Sequence, residues 1–285
     1  MYPTQRDLEQ VRQSIKSFIH SYDIQKSTLI LDGPGYGCSQ QVLWLALIGK
    51  ERLECFQRIH VFSAAGYAYL LYLAKQTGCL VYNSDSMKRW NLDNMKSHGI
   101  RAFGLTLMRF LLYKTFIGGP YFGNVLLADP INRSFTKEFA EARVTSLPAN
   151  ISFWAYDANS RAFIEIDSKN RFSEFTLSEL MRAIASMPYV YESFCFNGHV
   201  LRDAAVQNGV GELFRQLRSS SDGCMFLSME RSGQDGSTSF YKLHKQRSGK
   251  LRLNRDMTLF LAGIDNLEFV ECLRLGLFEL EALST

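Results

Sequence analysis

A chain of 285 residues has room for one broad domain and too little for two full enzymes. Hydrophobic residues at 46% and charged residues at 21% lie near the globular average, which excludes disordered and fibrous classes. The formal charge of +4 is too small to imply a nucleic-acid partner without a local basic patch.

Residues Thr4 to Tyr22 place Leu8, Val11, Ile15, Phe18 and Ile19 on one face, the pattern of an amphipathic helix. Thr28 to Leu31 then reads as a short strand of a buried parallel sheet. It runs into Asp32-Gly33-Pro34-Gly35-Tyr36-Gly37, and a helix is expected from Gln40 to Ile48. A second strand, Arg58 to Phe62, ends at Ser63-Ala64-Ala65-Gly66, and a helix follows from Tyr67 to Lys75. Two successive strand–turn–helix units point to an α/β fold built on a mostly parallel sheet.

From about Asn83 to Arg143 the pattern turns helical and irregular, and Phe103 to Phe122 is rich in Phe, Leu, Tyr and Gly. Buried helices and a greasy cap over a substrate groove are both compatible with it. Strands resume at Ile151 to Ala155 and at Ala162 to Ile166, and Leu177 to Ser186 is a helix stopped by Pro188. Asn197-Gly198 divides Phe194-Cys195-Phe196 from His199-Val200-Leu201, a strong hairpin signal. Met225 to Met229 reads as a strand, Ser232 to Ser239 as a polar loop, and Asn266 to Leu283 as an amphipathic helix. Between the last two lie six cations, from Lys242 to Arg255, either a solvated face or a dock for an anionic partner.

No repeat or linker divides the chain, so one domain is expected over 1–285, with an N-terminal helix within 1–27 and a cap-like helical insert at about 83–145. The six cysteines contain no C-x-x-C pair and none of the five histidines sits in a metal spacing. No metal and no cofactor are therefore expected. No charged leader followed by an apolar segment opens the sequence. The longest apolar stretch, Leu105 to Ile117, carries Arg109 and Lys114 and falls short of the ~20 residues of a membrane span. A soluble, cytoplasmic protein is the expectation.

Three places could carry chemistry. The glycines of 33–37 can aim successive N–H groups at one point, beside a helix N-terminus, and so hold a phosphate or an oxyanion. No Gly-Lys-Ser/Thr follows, and G-x-G-x-G is not a dinucleotide fingerprint. Ser63, between strand and helix, occupies the position of a strained, exposed nucleophile, although such a serine also serves as a helix cap. Asp203 follows the hairpin; a desolvated carboxylate can take a serine proton, and a turn aspartate can equally cap the segment after it. No histidine follows Asp203 in a suitable loop, which disfavours a Ser-His-Asp triad.

Taken together, a glycine-rich loop after strand one, a serine elbow after the next strand, and a late Asp followed by small residues resemble the patatin-like phospholipases. Ala155-Tyr156-Asp157 with Ala162-Phe163 is similar to that family's central strand pair, and Ala183 to Pro188 to its A-x-x-A-S-x-x-x-P region. Gly198 to Asn208 resembles its hairpin followed by D-G-G or D-G-A. The resemblance implies a three-layer α/β fold with a mostly parallel sheet and a helical cap. It implies hydrolysis or transfer of a fatty-acyl group from an ester or thioester through an acyl-serine. Ser63 would be the nucleophile, Asp203 the base, and Gly33, Gly35, Tyr36 and Gly37 the oxyanion hole.

The implied partners are a fatty-acyl lipid or an acyl thioester of CoA or acyl carrier protein, with peripheral contact to an anionic membrane. This chain differs from the family pattern in three places. The elbow's usual G-x-S-x-G is Val61-Phe62-Ser63-Ala64-Ala65, with Gly66 one position late, the Asp motif is D-A-A, and Pro34 offers no N–H to an oxyanion. These differences leave as the alternative a non-catalytic relative that binds a lipid or acylated partner.

Overall fold

A computed structural model describes residues 5–33, 38–83, 134–186, 193–227 and 272–280. The chain is α/β, with a mostly parallel mixed sheet flanked by helices. Helix α1 (Gln5–Ser21) is followed by β1 (Ser27–Leu31), α2 (Cys38–Ile48), α3 (Lys50–Cys55), β2 (Arg58–Phe62) and α4 (Ala65–Gln76). After the short α5 (Lys137–Glu141) come β3 (Ile151–Asp157), β4 (Ala162–Asp167) and α6 (Leu177–Ala185). The hairpin β5 (Phe194–Phe196) and β6 (His199–Asp203) precedes α7 (Val210–Ser219) and β7 (Gly223–Leu227). Leu275–Glu279 forms a wide helical turn.

The parallel part of the sheet runs β7-β1-β2-β3. β1, buried along its whole length, lies at its interior, as its unbroken apolar run requires. Side chains alternate across the sheet. Leu29, Leu31, Ile59, Val61, Ile151, Phe153 and Met225 join the larger core, shared with α1, α2, α4 and α6. Ile30, Phe62, Trp154 and Phe226 point the other way, against Leu213, Phe214 and Leu217 of α7. Burying that many large apolar side chains, each worth about 1.5–3 kcal/mol, is what holds the helices to both faces.

One feature of the register decides where the chemistry can sit. Residues 152–154 of β3 pair with β2 and with β4, while 155–157 pair with β4 and with β6. A strand has only two edges, so β2 and β6 share one edge of β3 and meet end to end along it. β2 stops at Phe62, opposite Trp154, and β6 stops at Asp203, opposite Ala155. The two strand ends converge there although they are far apart in sequence.

The residues Pro34 to Gly37, the segment Leu105 to Phe122 and the basic run Lys242 to Arg255 lie outside the described residues, as does most of the expected insert. Its described end packs Phe135, Phe139 and Val144 into the larger core. Cys38 and Cys272 are buried and Cys55 and Cys195 exposed; all six are free. Among the described residues no helix is long and apolar enough to cross a membrane.

Candidate active site at the junction of two strands

Ser63 is the first residue beyond β2 and has a φ of +50°, in the left-handed region that non-glycine residues seldom adopt. Its carbonyl accepts the Gly66 N–H at 2.9 Å, so it stands directly before α4. The dipole of the helix that begins there gives its surroundings partial positive charge. Such a sharp turn needs space. The neighbouring loop supplies it at Gly33, φ +69°, where a Cβ would come within 2.0 Å of the Phe62 carbonyl oxygen and 2.7 Å of Ser63 Cβ. Only glycine lets the backbone after β1 lie against the serine in this way. Gln41 secures that backbone, its amide nitrogen donating to Asp32 Oδ1 at 3.3 Å and to the Leu227 carbonyl at 3.1 Å.

Asp203 closes the junction from the other side. Its backbone N–H donates to the Ser186 carbonyl at the end of α6, at 3.0 Å. The Ala205 N–H donates to its Oδ1 at 2.9 Å, and Gln207 donates to its carbonyl oxygen at 3.0 Å. That leaves Oδ2 for the serine: Ser63 Oγ donates to it at 2.5 Å. Both side chains are sealed from water, Ser63 at 4% and Asp203 at 1% exposure. Burial pushes the Asp203 carboxyl up from 3.8 to about 6, against the lowering effect of its bonds from Ser63 and Ala205. The partly negative C-terminus of α6 lies on the Asp203 side and the partly positive N-terminus of α4 on the Ser63 side. A base of this kind is ionised at neutral pH and still binds a proton far more readily than an exposed carboxylate.

No protein-family model matches the chain, and no curated protein is significantly similar to it. The site must be read from its own geometry.

The other candidate groups are engaged elsewhere. His60 accepts the Trp154 indole N–H on Nδ1 at 3.0 Å, and burial lowers it to about 4, so it is neutral. Asp157 is buried, which raises its pKa, but bonds from Ser160, His199, Val200 and Asn159 outweigh this and hold it well below the usual carboxylate range. His199 Nδ1 lies 2.9 Å from Asp157 Oδ2, tying the β3–β4 turn to the β5–β6 hairpin. Burial pushes the Cys38 thiol up to about 12, which keeps it unreactive. Among the described residues no group of three or more His, Cys, Asp or Glu could hold a metal ion.

Sequence reasoning found both members of the buried pair and Gly33. It missed the groups that hold them: the Ser186 carbonyl, the Ala205 N–H, Gln207 and Gln41. Gln41 carried a usable signal, since a polar residue beside the unbroken apolar run Val42 to Ile48 must find a partner inside.

Proposed function

We propose that the protein is a serine acyl hydrolase or acyltransferase of the patatin-like kind, acting on fatty-acyl esters or thioesters. The observation that carries the reading is the buried 2.5 Å hydrogen bond from Ser63 Oγ to Asp203 Oδ2, with no histidine between them. Ser63 Oγ attacks the acyl carbonyl carbon as its proton passes to Asp203. The tetrahedral oxyanion is met by N–H groups of the loop that Gly33 brings against the serine. Collapse breaks the bond to the alcohol or thiol, which leaves with the proton from Asp203. Water or an acceptor alcohol, deprotonated by the same carboxylate, then releases the acyl group and restores Ser63.

In this reading the sheet with helices on both faces is the three-layer core of a single cytoplasmic domain. The run Lys242 to Arg255 meets the anionic donor: lipid headgroups, CoA or an acyl carrier protein. Loss of the Pro34 N–H from the loop weakens oxyanion stabilisation, a donor being worth about 3–4 kcal/mol, and so favours the more activated thioester donors.

The test is covalent labelling with an alkyl fluorophosphonate, read by intact mass. One phosphonyl group on the wild type, absent from Ser63→Ala and at least ~100-fold slower on Asp203→Ala, is expected. Equal labelling of Ser63→Ala, or none of the wild type, would overturn the proposal.

A further inference from the structure

We infer that Gly66 is a positioning residue: by letting the first turn of α4 touch the last turn of α6, it sets the gap between Ser63 and Asp203. The inference rests on the Ser–Asp reading above. Glycine in a helix is destabilising relative to alanine, so its place in α4 calls for a reason. The reason is contact. A Cβ at position 66 would lie 2.3 Å from Ile184 Cδ1 and 3.1 Å from Met181 Sδ, both on α6.

Each half of the pair is tied to one of the helices that meet here. The Gly66 N–H donates to the Ser63 carbonyl at 2.9 Å. Two residues beyond Ile184, the Ser186 carbonyl accepts the Asp203 N–H at 3.0 Å. Besides the link through β3, a second path from nucleophile to base therefore contains one hydrogen bond on each side and the Gly66–Ile184 packing contact between them. Packed interiors transmit displacement because they contain little free volume. Any change in the Gly66–Ile184 separation reaches the short bond between Ser63 and Asp203. Catalysis is sensitive to shifts of this size, since a misplacement of about 1 Å can cost ~100-fold. The glycine that an elbow needs to approach its strand is thus used here one position later, to approach a helix.

The contact can be tested from both sides. Gly66→Ala adds a methyl group where none fits. Ile184→Val removes the δ-methyl and leaves a small gap, a change that a packed core tolerates. The double variant moves one methyl across the contact and restores it. The readouts are the second-order rate of fluorophosphonate labelling and its pH midpoint, below the thermal transition of every variant. Expected are a loss of at least ~10-fold for Gly66→Ala, about 3-fold for Ile184→Val, and a double variant faster than either.

The midpoint should also move upward in the single variants, because the bond from Ser63 lowers the Asp203 pKa and lengthening it undoes this. It should return in the double variant. A purely structural role changes the unfolding temperature without moving the midpoint of the folded molecules. If Gly66→Ala does not fold, the comparison of Ile184→Val with the double variant decides alone. A double variant no faster than Ile184→Val, or a folded Gly66→Ala within about twofold of wild type, overturns the inference. A wild type that does not label removes the enzyme reading as well; a labelled wild type with a failed cycle removes only this one.

Discussion

Replacing Asp203 by asparagine should make the protein more stable at neutral pH while stopping the chemistry. Burial raises the carboxyl from 3.8 to about 6. A change of one in pKa corresponds to about 1.4 kcal/mol, so keeping Asp203 ionised in the fold costs about 3 kcal/mol. The direction follows from linkage. Between the two values the folded protein binds more protons than the unfolded chain, so stability falls as pH rises through this window. The penalty is absent below about pH 4 and complete above about pH 6. Asparagine has the same shape, can still accept from the Ala205 N–H, and carries no charge. In chemical denaturation Asp203→Asn should therefore exceed wild type by up to about 3 kcal/mol at pH 8. The advantage should fade to near zero at pH 4. Fluorophosphonate labelling should drop by orders of magnitude over the whole range. An advantage of equal size at pH 4 and pH 8, or none at either, would refute the account of Asp203 as a desolvated base.

Gly33→Ala should cost more than about 2 kcal/mol and abolish labelling, because its Cβ meets the Phe62 carbonyl oxygen and the backbone is left-handed there; denaturation and intact mass report both. Arg58→Met should destabilise by about 2 kcal/mol at neutral pH, less than a fully buried pair, since Arg58 joins the partly exposed Glu165 and Asp167. Burial raises the Asp167 pKa, but bonds from Lys169 and Arg58 bring it down overall, so this stabilisation exists above about pH 4 and the loss should shrink in acid. Asp157→Asn should cost about 2 kcal/mol at pH 7, because an amide nitrogen replaces Oδ2, which accepts from Ser160 Oγ and lies against His199 Nδ1, while Oδ1 can still accept from Val200. That cost should also decline as the medium is acidified, and urea titrations at two pH values would show it.

The strands were the most legible part of the fold. Arg58–Phe62 and the hairpin around Asn197-Gly198 appear where alternation and turn chemistry put them. Helix α7 is also written in the sequence, in the spacing of Val210, Leu213, Phe214 and Leu217. What could not be read is the pairing. Local pattern says that His199–Asp203 is a strand; it does not say that β6 takes over the edge of β3 where β2 leaves it. That choice is made by long-range packing, and it alone brings Asp203 to Ser63. The α4–α6 contact was hidden for the same reason. Gly66 looks like a displaced elbow glycine until Ile184, more than a hundred residues away, is placed against it.

The departures from G-x-S-x-G can now be weighed physically. A tight strand-to-helix turn at a serine requires room on two sides and something to hold a left-handed residue in place. Strain of this kind costs about 1–3 kcal/mol and persists only where surrounding packing enforces it. Here the room comes from Gly33 on one side and Gly66 on the other. Val61 and Ala65, which stand where the pattern has glycines, are fully buried in the larger core and help to hold the turn. The same core shields Asp203 and raises its pKa, so the strain at Ser63 and the desolvation of Asp203 are both maintained by the packing of α4 and α6 on the sheet. Loosening that packing enough to admit water should therefore relieve both at once: a variant that frees Ser63 and hydrates Asp203 should show a lower labelling rate together with a lowered pH midpoint, the reverse of the shift expected where the Ser63 bond lengthens and Asp203 stays dry.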